Sequence, residues 1–385
     1  MSKRMDVRDS SAMTVLGQGV VLATMLVGLP LIGIIAAGHD PRPYLEMPPV
    51  TRFVRHAGFS WPWFIFFGVA DFLMATGLLV AIRCGVRHRV RHRPVGLAKP
   101  AKGRFPWWGW AGGGLCFCAW LLAWQRFDWF WLFQPHTFLP IWAGFILTIN
   151  AWTEKRKGSC LITRQPLGFL GLFPASTAFW WFFEYLNRFV QNWYYTGIEG
   201  MGPGEYSYFS SLAFATVLPG VLSMIEWLGT FPALDAGLTR CRPVRMPTTK
   251  ATACFTLVVS AVGLALIGIY PDFLFALVWL SPLLIALSLQ ALSGRPTLLR
   301  PLCQGDFRSL VVPALAALIC GFFWEMWNIH SLARWTYSIP FVQRFHLFAM
   351  PVLGYGGYPP FGLICLMAGM PLVGNPFDTP AAIDP

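Results

Sequence analysis

Long apolar runs separated by short polar loops dominate this chain. Ten can be read: 13–37, 61–83, 107–125, 138–153, 167–190, 207–230, 251–270, 273–293, 309–330 and 346–370. About 20 apolar residues cross the hydrocarbon of a bilayer as a helix. Backbone polar groups find no water there, so each run must satisfy its own hydrogen bonds, which a helix does. The pattern predicts an all-α integral membrane protein with about ten transmembrane helices. The first run is too long for a signal-peptide core and reads as an uncleaved helix, with Ala36-Ala37-Gly38 leaving cleavage as the alternative.

Composition agrees with the pattern. Of 385 residues, 56% are hydrophobic and only 12% charged. A soluble domain carries about 25% charged residues, so a water-soluble globule and a disordered chain are both excluded. The 19 Trp and 33 Phe suit a protein rich in membrane-interface residues. The net charge of +12 does not point to nucleic acid, because the basic residues sit in loops. The N-terminus and the loops 83–106, 154–166, 231–250 and 294–308 hold 22 of the 29 Lys and Arg; the alternate loops 38–60, 126–137, 188–206 and 331–345 hold 7. This alternation predicts a multi-pass protein of a plasma or bacterial inner membrane with both termini in the cytoplasm. The most basic stretch, 83–104, reads as a topology determinant or as a contact for anionic lipid. The nine Cys show no metal-binding spacing and are expected to be reduced; no metal or cofactor is expected. Membrane lipids are the expected partners, and no protein partner is legible.

The second half of the chain repeats the first in motif. Phe182-Phe183-Glu184-Tyr185-Leu186-Asn187 is followed by Trp193-Tyr194-Tyr195, and Phe323-Trp324-Glu325-Met326-Trp327-Asn328 by Trp335-Thr336-Tyr337. The Glu and Asn recur at an offset of 141 residues. Runs three to six and seven to ten therefore read as two four-helix units, residues 107–230 and 251–370. Four helices per unit gives both copies the same orientation, as in parallel repeats. Residues 1–106 form a two-helix extension with a basic loop, and 371–385 a cytoplasmic tail.

The candidate chemistry lies in those motifs. Glu184 and Asn187 share one helix face, as do Glu325 and Asn328. An ionisable group inside a span is costly and faces the bundle interior or a wet cavity. Two such Glu at matched places suggest one shared site, where paired carboxylates would do acid/base work, with the Asn orienting them. The structural alternative is that Glu and Asn only hydrogen-bond neighbouring groups such as Arg188 and Arg334. Trp193, Tyr194, Tyr195, Trp335 and Tyr337 read either as an aromatic belt or as a wall over a lipid site. Gly354-Tyr355-Gly356-Gly357-Tyr358-Pro359-Pro360 breaks the tenth helix, which places Tyr355 and Tyr358 at a candidate substrate cavity. Pro219-Gly220 is expected to break the sixth helix more mildly. Asp71, in the middle of the second helix, is a gate or a docking contact.

The order acidic residue, Trp-x-Tyr and Pro step resembles the short membrane repeat of the bacterial and fungal lycopene cyclases. It is carried by Glu325, Trp335-Thr336-Tyr337 and Met350-Pro351-Val352, and by Glu184, Trp193-Tyr194-Tyr195 and Leu218-Pro219-Gly220. The resemblance implies polytopic repeats that protonate a polyene without redox change. Those cyclases carry Glu directly after the Pro step, where this chain has Val352-Leu353 and Gly220-Val221. The chain also resembles polytopic bacterial membrane proteins with Trp-Glu-x-x-Asn and Gly-Tyr-x-Gly-Tyr patterns. Three functions stay open: carboxylate chemistry on, or binding of, a lipid or isoprenoid near the outer leaflet; a proton-coupled transporter or lipid flippase; and a non-catalytic structural subunit.

Overall fold

The computed structural model describes residues 2–48, 53–91, 103–246 and 249–377, and only the backbone of 2–16 and 88–91. Its helices are α1 (Ser2–Ala36), α2 (Arg42–Leu45), α3 (Trp61–Arg91), α4 (Trp107–Trp124), α5 (Phe138–Lys157), α6 (Leu161–Arg164), α7 (Pro166–Val190), α8 (Pro203–Phe214), α9 (Val217–Gly229), α10 (Lys250–Leu266), α11 (Pro271–Leu274), α12 (Leu277–Leu292), α13 (Arg308–Asn328) and α14 (Tyr358–Val373). Two short antiparallel ribbons join them: β1 (Trp193–Thr196) with β2 (Arg334–Tyr337), and β3 (His346–Leu347) with β4 (Met350–Pro351). The fold is all-α. Segments Gly17–Ala36, Trp61–Arg87, Pro166–Val190, Pro203–Gly229, Arg308–Asn328 and Val352–Val373 are long and apolar enough to cross a membrane, and α10 and α12 are shorter apolar helices.

Two runs differ from the simple helices that hydropathy predicts. Run 207–230 is α8 and α9, broken at Ala215-Thr216 and not at Pro219-Gly220. Ser176 of α7 spans this break: its hydroxyl donates to the Phe214 carbonyl and accepts from Leu218 N at 2.9 Å. Pro219 lies in the first turn of α9, where N–H groups have no intrahelical acceptor, so it breaks nothing. Run 346–370 begins as the β3–β4 hairpin and a 3₁₀ turn over Val352–Gly357, and becomes regular helix only at Tyr358. The glycines and prolines thus do interrupt it, as their content predicts. Helices α9 and α14 start at Val217 and Tyr358, again 141 residues apart.

The centre consists of α7, α9, α13 and α14. Helix α9 packs on α7, α13 and α14, and α14 also packs on α13 and α7. Outside this centre α4 lies on α5, which leans on α9; in the same way α10 lies on α12, which leans on α14. Helix α1 covers α10 and α12. Large rings fill the joints: Trp142 of α5 packs on Trp324 of α13 with centroids 4.8 Å apart, and Trp279 of α12 stacks on Phe183 of α7 at 5.0 Å.

Helix α3 is peripheral. It touches the 3₁₀ turn 352–357 with one part and the turn Leu238–Arg240 with another, and only 6% of its apolar window is buried. Large apolar side chains such as Ile65, Phe66, Phe72 and Leu73 stand exposed on it, a surface that hydrocarbon covers and water would not. Exposed tryptophans cluster beyond both ends of α4, Trp107 and Trp110 at its start and Trp129 and Trp131 after its end, matching the aromatic belts of membrane interfaces. Residues 92–102 of the basic loop and 378–385 of the tail lie outside the described residues.

Candidate functional site

The site is built where α7 and α13 end. After α7 the chain reverses through Gln191, which adopts a left-handed conformation (φ 50°). Asn187, fully buried in the last turn, holds the reversed chain: its Nδ2 donates to the Trp193 carbonyl at 2.7 Å, and its Oδ1 accepts from Asn192 N at 2.9 Å and Trp193 N at 3.4 Å. Asn328 does the same for α13, donating to the Trp335 carbonyl at 2.7 Å and accepting from Trp335 N at 2.9 Å. Each Asn therefore satisfies both backbone groups of the Trp of its Trp-x-Tyr motif, groups that would cost free energy if left unpaired.

The held strands pair with each other. In the β1–β2 ladder Trp193 faces Tyr337, Tyr194 faces Thr336 and Tyr195 faces Trp335. Alternate strand residues point to one side, so Trp193, Tyr195, Trp335 and Tyr337 share the face that covers the helix ends. Beneath it lie Glu184 and Glu325, both 0% exposed. Glu184 Oε1 accepts from Trp180 Nε1 at 2.9 Å, Trp193 Nε1 at 3.0 Å and Tyr195 Oη at 2.6 Å. Glu325 Oε1 accepts from Trp335 Nε1 at 3.2 Å, Tyr337 Oη at 2.6 Å and Tyr358 Oη at 3.1 Å. Burial first, and then the carboxylate beside each, raises the phenols of Tyr195 and Tyr337 well above their ordinary range, so both remain donors. In both glutamates Oε2 is buried and has no hydrogen-bond partner among the described residues.

The third donor differs between the two sites in a compensated way. At the first it is Trp180, on the same helix as Glu184. The position 141 residues later is Gly321, and a Cβ there would sit 2.5 Å from the ring of Tyr358. Tyr358 comes from α14, and the position matching it in α9 is Val217. A large ring thus fills equivalent space in both sites, delivered once by the Glu helix and once by its neighbour.

The remaining expected residues fall elsewhere. Tyr194 points away from Glu184 and its ring meets Phe53 at 5.6 Å. Tyr355 donates to the Leu347 carbonyl at 3.1 Å and packs near Tyr358. Asp71 lies against Gly356, where no Cβ would fit, so it borders the 3₁₀ turn and not the carboxylates. Neither Arg188 nor Arg334 bonds the glutamates: Arg188 donates to the Tyr44 carbonyl and Arg334 to that of Ile329. Among the described residues, no three His, Cys, Asp or Glu side chains are grouped as metal ligands. Tyr195 is legible in the motif, through the period-two spacing of Trp193 and Tyr195 that Trp335 and Tyr337 repeat. Trp180 is the site residue that motif reading passes over, and its only signal is its i, i+4 spacing to Glu184.

Each carboxylate is therefore enclosed by its own motif. Pockets of about 390 and 280 Å³ open elsewhere on the bundle and are lined by neither Glu. The chain matches no protein-family model, and comparison with curated proteins and with solved structures finds no match.

Proposed function

We propose that this chain is a non-catalytic membrane scaffold, a packed helical body whose buried polar motifs hold its own fold. The observation that supports this reading is that one oxygen of each carboxyl is fully taken up by donors of the chain itself. Oε1 of Glu184 and of Glu325 each accepts three donors from the chain itself. These bonds tie the β1–β2 ribbon across the ends of α7 and α13. In this reading the ribbon faces away from the cytoplasm, and both termini lie inside.

The test compares lipid extracts of cells expressing the wild type or the E184Q/E325Q double variant. Gln keeps a carbonyl oxygen for the three donors, so the fold should survive. The lipid pools should be the same. A lipid or isoprenoid product that appears with the wild type and vanishes with the double variant overturns the scaffold reading. One observation favours that second reading, acid/base action on a lipid or isoprenoid: the unpartnered Oε2 of both glutamates is where a proton would be passed.

We further propose that 107–230 and 251–370 are two copies of one four-helix unit. Exchanging the copies maps the β1–β2 pairing onto itself, since Trp193–Tyr337 becomes Trp335–Tyr195. The same exchange maps the packing of α4, α5, α7 and α9 onto that of α10, α12, α13 and α14.

A further inference from the structure

The end of α7 that bears Glu184 also bears a charge that the ribbon motifs do not use. Arg188 is 6% exposed. One guanidinium nitrogen, Nη1, donates to the Tyr44 carbonyl at the end of α2. The other terminal nitrogen, Nη2, is buried without a hydrogen-bond partner among the described residues. Among the described residues no carboxylate forms an ion pair with Arg188. Glu184, one turn away, gives its Oε1 to the Trp and Tyr donors, and Glu46, whose charge also reaches Arg188, is exposed. A buried charge with no ion-pair partner is unfavourable, and Glu46 and Glu184 act on this one only from beyond ion-pair distance. The architecture itself does not require one here, because the matching position, just after α13, is Ile329.

Arg188 lines the pocket of about 280 Å³, together with Tyr44, Val54, His56, Phe189 and Pro271. Tyr44 stacks on Phe189 with centroids 4.5 Å apart, which fixes the N-terminal extension as one wall. The other walls are apolar apart from Gln191 and His56; His56 Nδ1 meets Asp272 Oδ1 at 2.7 Å and its Nε2 meets the Gln191 carbonyl at 3.3 Å. The pocket lies where α1 ends at Ala36, α7 ends at Val190 and α11 begins at Pro271. That is the level at which apolar helices leave hydrocarbon and lipid phosphates begin.

We infer that this pocket binds one phosphate group, with Arg188 as its counter-charge. Guanidinium is weakly hydrated and matches phosphate oxygens with paired donors. The group comes from a lipid head or from free phosphate, and the apolar walls leave room for the glycerol end of a lipid. This inference does not depend on the scaffold reading.

The test uses the full chain, purified in detergent and stripped of loose lipid, as wild type, R188Q and V54W. The V54W change fills the pocket while leaving Arg188 and the Val54 carbonyl, which accepts from Ser338 at 2.8 Å, in place. It keeps the proposal testable if R188Q does not fold. Native mass spectrometry counts retained phospholipid, and thermal unfolding in a titration of inorganic phosphate reads the free ion. One retained phospholipid in the wild type, with occupancy reduced about tenfold or more in folded variants, supports a lipid source; that is the loss expected for one charge-assisted hydrogen bond. A rise in the melting temperature with inorganic phosphate, in the wild type alone, supports the free ion. Phosphate-blind unfolding with no retained lipid, or equal retention in wild type and V54W, overturns the inference.

Discussion

The compensated ring exchange around Glu325 gives a sharp test of the two-copy architecture. The perturbation transplants the first site into the second: Gly321→Trp supplies the indole that Trp180 gives to Glu184, and Tyr358→Val supplies the small residue found at Val217. Gly321→Trp alone drives a side chain into the Tyr358 ring, which a Cβ would already meet at 2.5 Å. Overpacking of this kind costs about 1–3 kcal/mol or more. Tyr358→Val alone removes one bond to a carboxylate, 3.1 Å in length, and leaves a gap the size of a ring. Truncating a packed aromatic costs about 3–5 kcal/mol at most, and Val retains part of the volume, so about 3 kcal/mol is expected. Added independently, the two changes would cost about 5 kcal/mol. Together they should cost about 2 kcal/mol, since the indole refills the gap and donates to Glu325, a coupling of about 3 kcal/mol at the upper end of measured pairs. Equilibrium unfolding in mixed micelles, followed by circular dichroism, gives the four free energies of the cycle. Additivity to within about 0.5 kcal/mol would refute the equivalence of Trp180 with Tyr358.

The other predictions are simpler. Tyr195→Phe should cost about 1.5–3 kcal/mol, the value of a bond to a charged acceptor, while Tyr194→Phe should stay within about 0.5 kcal/mol; equal effects would contradict the strand geometry. The raised phenols of Tyr195 and Tyr337 stabilise the fold fully below the unfolded tyrosine value of about pH 10, and that stabilisation is lost as pH rises through their folded values; absorbance titration should find both among the tyrosines that ionise only on unfolding, and Tyr195→Phe and Tyr337→Phe should each remove one from that set. Asn328→Ala leaves the Trp335 N–H and carbonyl unpaired, a loss of about 2–5 kcal/mol, and hydrogen exchange should show the Trp335 amide losing protection while the middle of α13 keeps it. Gly356→Ala pushes a methyl into the Asp71 carboxylate, so exchange should rise across residues 61–87 and the D71A/G356A double variant should restore it; no change in α3 would mean that Asp71 does not dock it.

Much of this protein was legible before folding. The apolar runs mark where the helices lie, because hydrocarbon imposes its length on every crossing segment. The Glu-x-x-Asn and Trp-x-Tyr motifs mark the site, and their common offset pairs its two halves. The sequence misleads where a residue's role depends on direction. Tyr194 sits beside Tyr195 in the chain, yet only Tyr195 reaches Glu184, because strand side chains alternate and motif counting does not see the strand. Pro219 reads as a helix breaker, yet it falls in a first turn and the break lies at Thr216, where Ser176 from another helix completes the hydrogen bonds.

The sequence by itself determined an all-α membrane body and the positions of its polar motifs, since transfer from water is a sum over residues and needs no knowledge of neighbours. Only the tertiary structure decided what the motifs hold. That Glu325 takes its third donor from α14, that β1 pairs with β2, and that Arg188 meets the loop at Tyr44 all join residues far apart in the chain. Hydrogen bonds are directional and end within about 3.5 Å, so their partners exist only once the helices have packed.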